Sequence, residues 1–195
     1  KLRELVERIL SLYAEKFEIY PAAKKHHHSI RSGLLYHVLR MLQSAKVLCG
    51  IYDNLDKDML YAGVILHDIE KINEMEADAL GIVSTYSFEG QVLGHIIMGI
   101  KKIDVIAEEI GLDREVSLLL QHLILTHHYE PQFGSPKKPS IPEGELLHYL
   151  DMIDARMYDM EKAIAGIAPG TFSDGVQSID YRRIYKPSYS EREAE

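Results

Sequence analysis

The stretch GVILHDIEKINE, residues 63–74, places the adjacent side chains of His67 and Asp68 at the end of an apolar run. An ionised carboxylate that is buried without a partner costs several kcal/mol or takes up a proton, so this position calls for compensating charge. Neighbouring helical residues point about 100° apart, and one ion can therefore contact both side chains only from the crevice between their directions. The fold must bring further ligands to this pair from distant segments of the chain.

Apolar residues recur at helical spacing along most of the chain, whereas no series of alternating strands is apparent. The first helix is predicted from the spacing of Leu2, Leu5, Val6, Ile9, Leu12 and Tyr13. Further helices are predicted at about 34–48, from 56–58 through the His67-Asp68 pair, and at about 89–101, 104–110, 113–126 and 143–167, with an irregular segment at 73–88. Gly111 is predicted to end one helix and Asp113 to cap the next. The sequence therefore predicts an all-α fold, a bundle of about six or seven helices in residues 1–168, followed by a polar, tyrosine-rich tail at 169–195.

Composition limits the classes of protein that fit. No apolar run approaches the length of about eighteen residues that a membrane span needs. The single cysteine, Cys49, excludes an internal disulfide and a cysteine-rich zinc site, which favours a cytoplasmic location. The formal net charge of −8 opposes non-specific binding to a phosphate backbone, so a nucleic-acid substrate must be attracted by local basic groups.

Two further polar residues lie on apolar helical faces. His37 follows Leu34 by three residues and precedes Met41 by four, which places it on the core-facing stripe of its helix. Asp151 lies in LLHYLDMIDARM, a run too apolar to hold an unpartnered carboxylate comfortably. A single buried histidine is more often satisfied by a hydrogen bond, but these residues together with the earlier pair favour a divalent cation.

The order of these residues, a histidine, the His67-Asp68 pair and a later aspartate, resembles the H…HD…D pattern of the HD superfamily of metal-dependent phosphohydrolases, which has an all-α fold. The segments GHI at 94–96 and THHYEPQFGSP at 126–136 look like the additional histidines of the dinuclear subclass. The resemblance implies that one ion is held by His37, His67, Asp68 and Asp151. It also implies that Asp68 bridges to a second ion, which is held by His95 and by His127, His128 or both.

Within the superfamily, the chain resembles most closely the HD domain of YhaM-type 3'-to-5' exoribonucleases. The resemblance extends over nearly the whole chain in ordered blocks: PAAKKHHHSIRSGLLYHVL, AGVILHDIEKI, YSFEGQVLGHI, LQHLILTHHYEPQFGSPKKP, LLHYLDMIDARM and DYRRIYKP. The sequence departs from the family pattern at Glu70, where glycine is usual, and at Ser32, where the first of two glycines is common. An oligonucleotide-binding barrel precedes the HD domain in that family and is not among these residues.

Imidazole and carboxylate ligands in this mixture suit manganese, iron, nickel or zinc better than calcium, and manganese is our first choice for the two divalent ions. Asp68 is predicted to act in catalysis by bridging the ions. Lys71, four residues after His67, is predicted to place an ammonium near a phosphate oxygen. The alternative for Lys71 is a solvated surface charge.

Candidates for contact with substrate lie before the second helix, in the proline-rich loop and in the tail: His27 and His28, Lys137 and Lys138, and Arg182 and Arg183. Each can equally be an ordinary polar or solvated charged residue. His148 and Asp154 lie at three-residue steps on either side of Asp151, so they are candidates to orient its carboxylate.

The resemblance implies a metal-dependent phosphohydrolase or phosphodiesterase that removes nucleotides from the 3' end of single-stranded RNA or DNA by a metal-activated water. Hydrolysis of nucleotides or cyclic nucleotides is the alternative within the same chemistry, and the acidic balance of the chain favours it. A di-iron oxygenase and a non-catalytic metal-binding module are alternatives of different classes. The expected partner is a single-stranded nucleic acid or a nucleotide and not a membrane, and the sequence leaves open whether the chain forms a homo-oligomer.

Overall fold

The computed structural model describes residues 1–23 and 28–189, and within these ranges the chain is a bundle of α-helices with two short hairpins. The helices are α1 (Leu2–Phe17), α2 (Gly33–Leu48), α3 (Lys57–Leu66), α4 (Lys71–Glu74), α5 (Phe88–Val92), α6 (Gly94–Ile110), α7 (Arg114–Thr126) and α8 (Pro142–Ala165). Because α4 is a single turn, the described residues contain seven helices of five residues or more, which confirms the predicted all-α class. In the same ranges, no helix has both the length and the apolar character that crossing a membrane requires.

Helix α3 lies at the centre of the bundle and contacts α1, α2, α7 and α8. It is predominantly apolar, and its residues Leu60, Val64 and Leu66 are fully buried. Gly63 lets α7 approach closely, because a Cβ at this position would lie only 2.5 Å from Cδ2 of Leu123. The C-terminal end of α3 is therefore held deep in the core, and this fixes the position of His67 and Asp68, which follow it directly.

The helix limits differ from the prediction at this pair. Helix α3 ends at Leu66, with His67 as its C-terminal cap, and Asp68 lies in the turn that leads to α4. The predicted helix through both residues is therefore too long, and Lys71 begins a new helical turn. The turn brings the two side chains to one side, with Nε2 of His67 only 3.4 Å from Oδ2 of Asp68.

Helix α6 also differs from the prediction, because it is continuous where the sequence predicted separate helices at about 89–101 and 104–110. Gly94 has a φ of 71°, a conformation that glycine adopts readily and that separates α6 from the short helix α5. Gly111 ends α6 in the left-handed conformation, and the side chain of Asp113 accepts backbone N–H groups at the start of α7. This boundary is the one that the sequence predicted.

Two antiparallel hairpins lie where the sequence predicted no regular structure. Strand β1 (Met75–Ala77) pairs with β2 (Val83–Tyr86), and strand β3 (Phe172–Val176) pairs with β4 (Arg182–Tyr185). The first hairpin joins α4 to α5. The second lies in the predicted tail and packs against α8, with Ile179 between its strands fully buried. A domain boundary at 168 stays a prediction.

Candidate metal centre

The predicted metal ligands come together at the C-terminal end of α3. They are His37 from α2, His67 and Asp68 after α3, His95 from α6, His127 and His128 after α7, and Asp151 from α8. Donor atoms of all these residues except Asp151 form two groups, in each of which the atoms lie within 4.8 Å of one another, and Asp68 belongs to both groups. The carboxylate of Asp68 is therefore common to both groups of donor atoms.

The two carboxylate oxygens of Asp68 face different imidazoles. Its Oδ2 lies 3.4 Å from Nε2 of His67, whereas its Oδ1 lies 3.2 Å from Nε2 of His95 and 3.7 Å from Nε2 of His127. Donor atoms that share an ion through bonds of about 2.1 Å lie about 3 Å apart in an octahedral arrangement. These separations fit one ion on each side of the carboxylate.

The first group combines α2, α8 and the end of α3. His37 is fully buried, and its donor atom lies within 4.8 Å of those of His67 and Asp68. Nε2 of His37 also lies 3.2 Å from Oδ1 of Asp151. Asp151 can therefore add a second carboxylate to this group.

The second group forms around the end of α7. It consists of Asp68, His95, His127 and His128. The sequence left open which of the two adjacent histidines after α7 would take part, and the structure brings both of them to the group. His127 is fully buried, whereas His128 is only partly buried and borders solvent.

Backbone carbonyl groups fix the orientation of three of these rings. The Nδ1–H groups of His67 and His127 each donate to the carbonyl oxygen three residues earlier, at 2.9 Å and 2.8 Å. The Nδ1–H of His128 donates to the carbonyl oxygen of Phe133 at 2.6 Å. Because a carbonyl oxygen only accepts, Nδ1 carries the donated hydrogen, which leaves Nε2 of each ring as the atom that can bind an ion.

Carboxylates hold the other two rings. Nδ1 of His95 lies 3.0 Å from Oε1 of Glu74, which also accepts the backbone N–H of His95 at 3.0 Å. Nδ1 of His37 lies 2.7 Å from Oδ2 of Asp154. Such contacts orient a ligand and increase its basicity. The sequence indicated Asp154 as a partner of Asp151 rather than of His37, and it gave no signal for Glu74.

The centre contains buried donor atoms that lack a hydrogen-bond partner within residues 1–23 and 28–189: Nε2 of His67, Nε2 of His95, Nε2 of His127 and Oδ1 of Asp68. Leaving a buried polar atom without a partner costs about 1–3 kcal/mol. All of these atoms belong to imidazole or carboxylate side chains of the two groups of donor atoms. The residues therefore fit a pair of divalent cations, which would satisfy these atoms together.

Charge pairing sets the protonation states of the first group. Burial alone would raise the pKa of Asp68, but the ammonium of Lys71 holds this pKa well below its ordinary value. Burial also acts to raise the pKa of Asp151, but the hydrogen bond with His37 and the charges of His37 and His67 together outweigh burial and lower this pKa. Burial lowers the pKa of His37, but its hydrogen bonds with Asp151 and Asp154 outweigh this effect and raise the pKa to about 9.

The rings of the second group differ in pKa. Burial lowers the pKa of His127, and burial together with the neighbouring His127 ring lowers the pKa of His128 to about 3. Burial also lowers the pKa of His95, but the neighbouring carboxylates of Asp68 and Glu74 outweigh it and raise this pKa above its ordinary value. His127 and His128 are therefore neutral at pH 7 and ready to bind an ion.

We expect manganese binding at pH 7 to release protons from the chain. With a pKa of about 9, His37 is charged at pH 7, and only its neutral form can bind an ion. The affinity should therefore weaken as the pH falls from 9 to 7, by about tenfold per pH unit for each proton displaced. Calorimetry in buffers with different ionisation enthalpies measures the release. Binding that releases no proton at pH 7 and has equal affinity at pH 9 would contradict this expectation.

A hydrogen-bond network lies behind His37. Oδ2 of Asp154 is 2.7 Å from Nε2 of His28 and 2.7 Å from Nδ1 of His37. Oδ1 of Asp154 accepts a hydrogen bond from Nε of Arg40 at 2.6 Å. The positive charge of this guanidinium disfavours a metal cation between His28, His37 and Asp154. His28 is fully buried in the network, which differs from its predicted contact with substrate phosphate. The other histidine predicted to contact substrate, His27, lies outside the described residues.

Replacing Asp154 by asparagine should weaken manganese binding by about 10–100-fold, the usual effect of removing a group that orients a ligand. The amide keeps the size of the side chain but loses the charge that contacts His37 and Arg40. Electron paramagnetic resonance of free Mn²⁺ measures the affinity. Asp53→Asn, at an exposed position between α2 and α3, is the matched control. Equal affinity in the Asp154 variant and the unaltered chain would show that the network is not needed for binding.

Lys71 lies at the candidate centre. Its Nζ donates to Oδ2 of Asp68 at 2.7 Å, and its side chain is 12% exposed. Burial lowers the pKa of Lys71, but the charge of Asp68 outweighs it and raises this pKa, so the side chain is an ammonium at neutral pH. A contact between this ammonium and a phosphate oxygen stays a prediction.

The other predicted basic residues have contacts within their own segments. Lys138 donates to Oε1 of Glu130 at 3.2 Å, inside the loop between α7 and α8. The neighbouring Lys137 is exposed in that loop. The Nε atoms of Arg182 and Arg183 donate to carbonyl oxygens within the second hairpin, both at 3.0 Å. A contact of these four residues with substrate stays a prediction.

Glu70, the departure from the family's usual glycine, is buried and fully bonded. Its Oε1 accepts the hydroxyl of Tyr13 at 2.5 Å, and its Oε2 accepts the amide of Asn73 at 2.8 Å. These bonds join α1 to α4. Among the described residues, Glu70 is not part of a group of metal donors, so the substitution leaves the candidate ligands in place.

Comparison with known proteins identifies the family. Residues 34–156 match the HD domain family. The chain is 41% identical over 190 residues to the 3'-5' exoribonuclease YhaM of Bacillus pumilus (strain SAFR-032), an alignment that covers 97% of this chain and 60% of that protein. It is 43% identical over 188 residues to the 3'-5' exoribonuclease YhaM of Bacillus licheniformis, with 96% of this chain and 59% of that protein covered.

The chain spans about 60% of the length of the curated relatives that it matches. The comparison with solved structures gave no match. The segment that matches the family begins in α2 and ends in α8, so it includes every predicted ligand from His37 to Asp151. The resemblance found in the sequence is confirmed, and the chain belongs to the HD domain family.

Proposed function

We propose that the chain is a metal-dependent phosphodiesterase that removes nucleotides from the 3' end of single-stranded RNA or DNA. The observation that carries the proposal is Asp68, whose two oxygens face separate imidazoles at distances of 3.4 Å on one side and 3.2 Å and 3.7 Å on the other. Paired divalent ions, when bound, supply a water of lowered pKa and neutralise charge on the attacked phosphoryl group. The relatives named 3'-5' exoribonucleases support the direction of attack.

The chain alone provides the ligands for both ions. Asp68 would be a ligand of both ions, and the remaining residues would divide into a set for the first ion and a set for the second: His37, His67 and Asp151, then His95, His127 and His128. An imidazole-rich set with shared carboxylates suits manganese, our first choice, and also iron, nickel or zinc.

Substrate reaches the centre where its side chains are partly exposed. The side chains of Lys71 and Asp151 are 12% and 13% exposed, whereas those of His67 and His127 have no exposed surface. The buried imidazoles keep bulk water from the inner side of the centre. The ammonium of Lys71 would stabilise negative charge on the phosphoryl oxygens.

Local positive charge would have to attract a strand, because the net charge is −8. We assign this task to the exposed Lys137 and to Lys138, Arg182 and Arg183, each of which keeps a charged group at the surface of its segment. Screening by salt would weaken these contacts, so hydrolysis of oligonucleotides should fall as ionic strength rises.

Incubation with 5'-labelled single-stranded RNA and manganese tests the proposal. The expected result is a ladder of labelled oligonucleotides shortened one nucleotide at a time from the 3' end. An RNA whose 3' end is closed in a stable duplex should be shortened more slowly. An unchanged label pattern after loading with manganese, iron, nickel or zinc would contradict the proposal.

A second candidate is the hydrolysis of nucleotides or cyclic nucleotides, which the net charge of −8 favours because a small substrate needs fewer phosphate contacts. The ligand arrangement would serve the same chemistry. Turnover of mononucleotides or cyclic nucleotides without shortening of the RNA would select this candidate, whereas a ladder would select the first.

A further inference from the structure

The loop between α7 and α8 places an aromatic residue beside the candidate metal centre. Phe133 ends a short 3-10 helix, Pro131–Phe133, and is 61% exposed. Its carbonyl oxygen accepts the Nδ1–H of the candidate ligand His128 at 2.6 Å. A large apolar side chain is thus held at the surface, with its own backbone bonded to a candidate ligand.

The backbone of this loop is fixed next to the centre. Gly134 has a φ of 96°, and a Cβ at this position would lie 3.1 Å from Cδ1 of Ile96, the neighbour of His95. The hydroxyl of Ser135 accepts the backbone N–H of His128 at 3.1 Å. The loop is therefore anchored to two segments that carry candidate ligands.

The ligands next to this loop border the open side of the second group. The side chains of His67 and His127 have no exposed surface, whereas the side chain of His95 is 10% exposed and His128 is only partly buried. A substrate phosphate can therefore reach the second group from the side of His95 and His128. Phe133 lies at this edge.

The other aromatic residue of the loop already has partners. Tyr129 stacks on His148 with a centroid separation of 4.5 Å, and Nζ of Lys138 lies 4.2 Å from the centroid of the Tyr129 ring. His148 donates its Nδ1–H to the carbonyl oxygen of His127 at 2.8 Å, rather than to a carboxylate as the sequence predicted. Phe133 has no ring stacking or cation contact among the described residues, so its ring is available to a ligand.

We propose that Phe133 stacks against the nucleobase next to the scissile phosphate; this inference rests on the proposed phosphodiesterase function. Every nucleobase has a π face, so stacking holds a single strand without reading its sequence. Stacking also suits a chain of net charge −8, because it does not depend on attraction to phosphate. Bases within a duplex are already stacked on one another, so Phe133 would favour single-stranded ends.

Oligonucleotides that carry one abasic nucleotide test this contact. The abasic nucleotide is placed at the 3'-terminal or the penultimate position, and kcat/KM is compared with that for the intact oligonucleotide. We expect the unaltered chain to prefer the intact substrate by about tenfold at one of these positions, and Phe133→Ala to lose the preference through a higher KM. Phe133→Trp should keep the preference, because an indole ring also stacks.

Tyr52→Ala is the matched control, since Tyr52 is 52% exposed in the segment between α2 and α3. That segment lies at the start of α3, about 15 Å from the ligand-bearing end of this helix by its rise of about 1.5 Å per residue. The control should prefer the intact substrate as strongly as the unaltered chain does. A Phe133→Ala protein with the full preference at both positions would overturn the stacking proposal.

A binding measurement separates this inference from the proposed function. An oligonucleotide with 2-aminopurine at the tested position and non-hydrolysable end linkages should lose fluorescence on binding the unaltered chain, because stacking quenches this base, and should keep it with Phe133→Ala. Hydrolysis of RNA without dependence on Phe133 in either assay would overturn the stacking proposal and leave the function standing. Quenching that depends on Phe133, without hydrolysis of any oligonucleotide, would support the contact and overturn the function.

Discussion

Replacing Asp68 by alanine is expected to lower phosphodiester hydrolysis by about 10³-fold or more, since metal ions contribute several kcal/mol to such reactions and each 1.36 kcal/mol is about tenfold in rate. Asp68 is the donor shared by both groups of ligands, so its loss weakens both ion sites at once. The rate of RNA shortening and the metal content of the dialysed protein measure the effect. We expect the variant to lose ions as well as activity.

The fold of the Asp68→Ala protein needs a separate measurement, because Lys71 loses the counter-charge that lies 2.7 Å from its Nζ. Circular dichroism establishes whether the helices form. Asp53→Ala, at an exposed position between α2 and α3, is the matched control and should keep both ions and full activity. A folded Asp68→Ala protein that retains both ions, or that hydrolyses RNA within about tenfold of the unaltered rate, would contradict the shared role of this carboxylate.

Replacing Lys71 by alanine should lower kcat by about 10²-fold, within the range for removing one group that stabilises charge in the transition state. Lys71 is an ammonium at neutral pH and has no lone pair to offer an ion, so the variant should keep both ions. Lys71→Arg retains the positive charge and should recover part of kcat. Parallel measurement of kcat and metal content therefore separates Lys71 from the ligands.

The matched control for Lys71 is Lys57→Ala, because Lys57 is exposed at the first position of α3. This change should alter neither kcat nor the metal content. If Lys71→Ala lost its ions in proportion to its activity, Lys71 would act by holding Asp68 in place rather than by contacting substrate. An unchanged kcat would exclude both roles.

Much of the fold follows from helical periodicity and from residues that end helices. The apolar spacing of α1, α2, α7 and α8 predicted these helices close to their observed limits, and Asp113 marked the start of α7. The start of α6 was predicted too early, because it is set by the positive φ of Gly94 and not by an apolar pattern. The sequence of the hairpin formed by β3 and β4 shows no alternation of apolar and polar residues, because its strands are short and mostly exposed.

His37, His67, Asp68 and Asp151 could be predicted because imidazoles and carboxylates on apolar faces need compensation. The ligands His95, His127 and His128 were implied by the resemblance to the family. The groups that orient these ligands could not be predicted, because a partner that is a backbone carbonyl, such as that of Phe133, does not depend on the residue type. Glu74 was missed because its approach to His95 depends on the turn after α3 and on the break before α6. His28 was predicted to contact substrate, and only the packing of α2 on α8 places it against Asp154.

Anomalous diffraction from manganese-loaded crystals tests the central claim most directly, because it locates the ions themselves. We predict two manganese peaks that share Asp68, one beside His37 and Asp151 and the other beside His95 and His128. A single peak away from Asp68, or hydrogen-bonded waters in place of both ions at saturating manganese, would contradict the account.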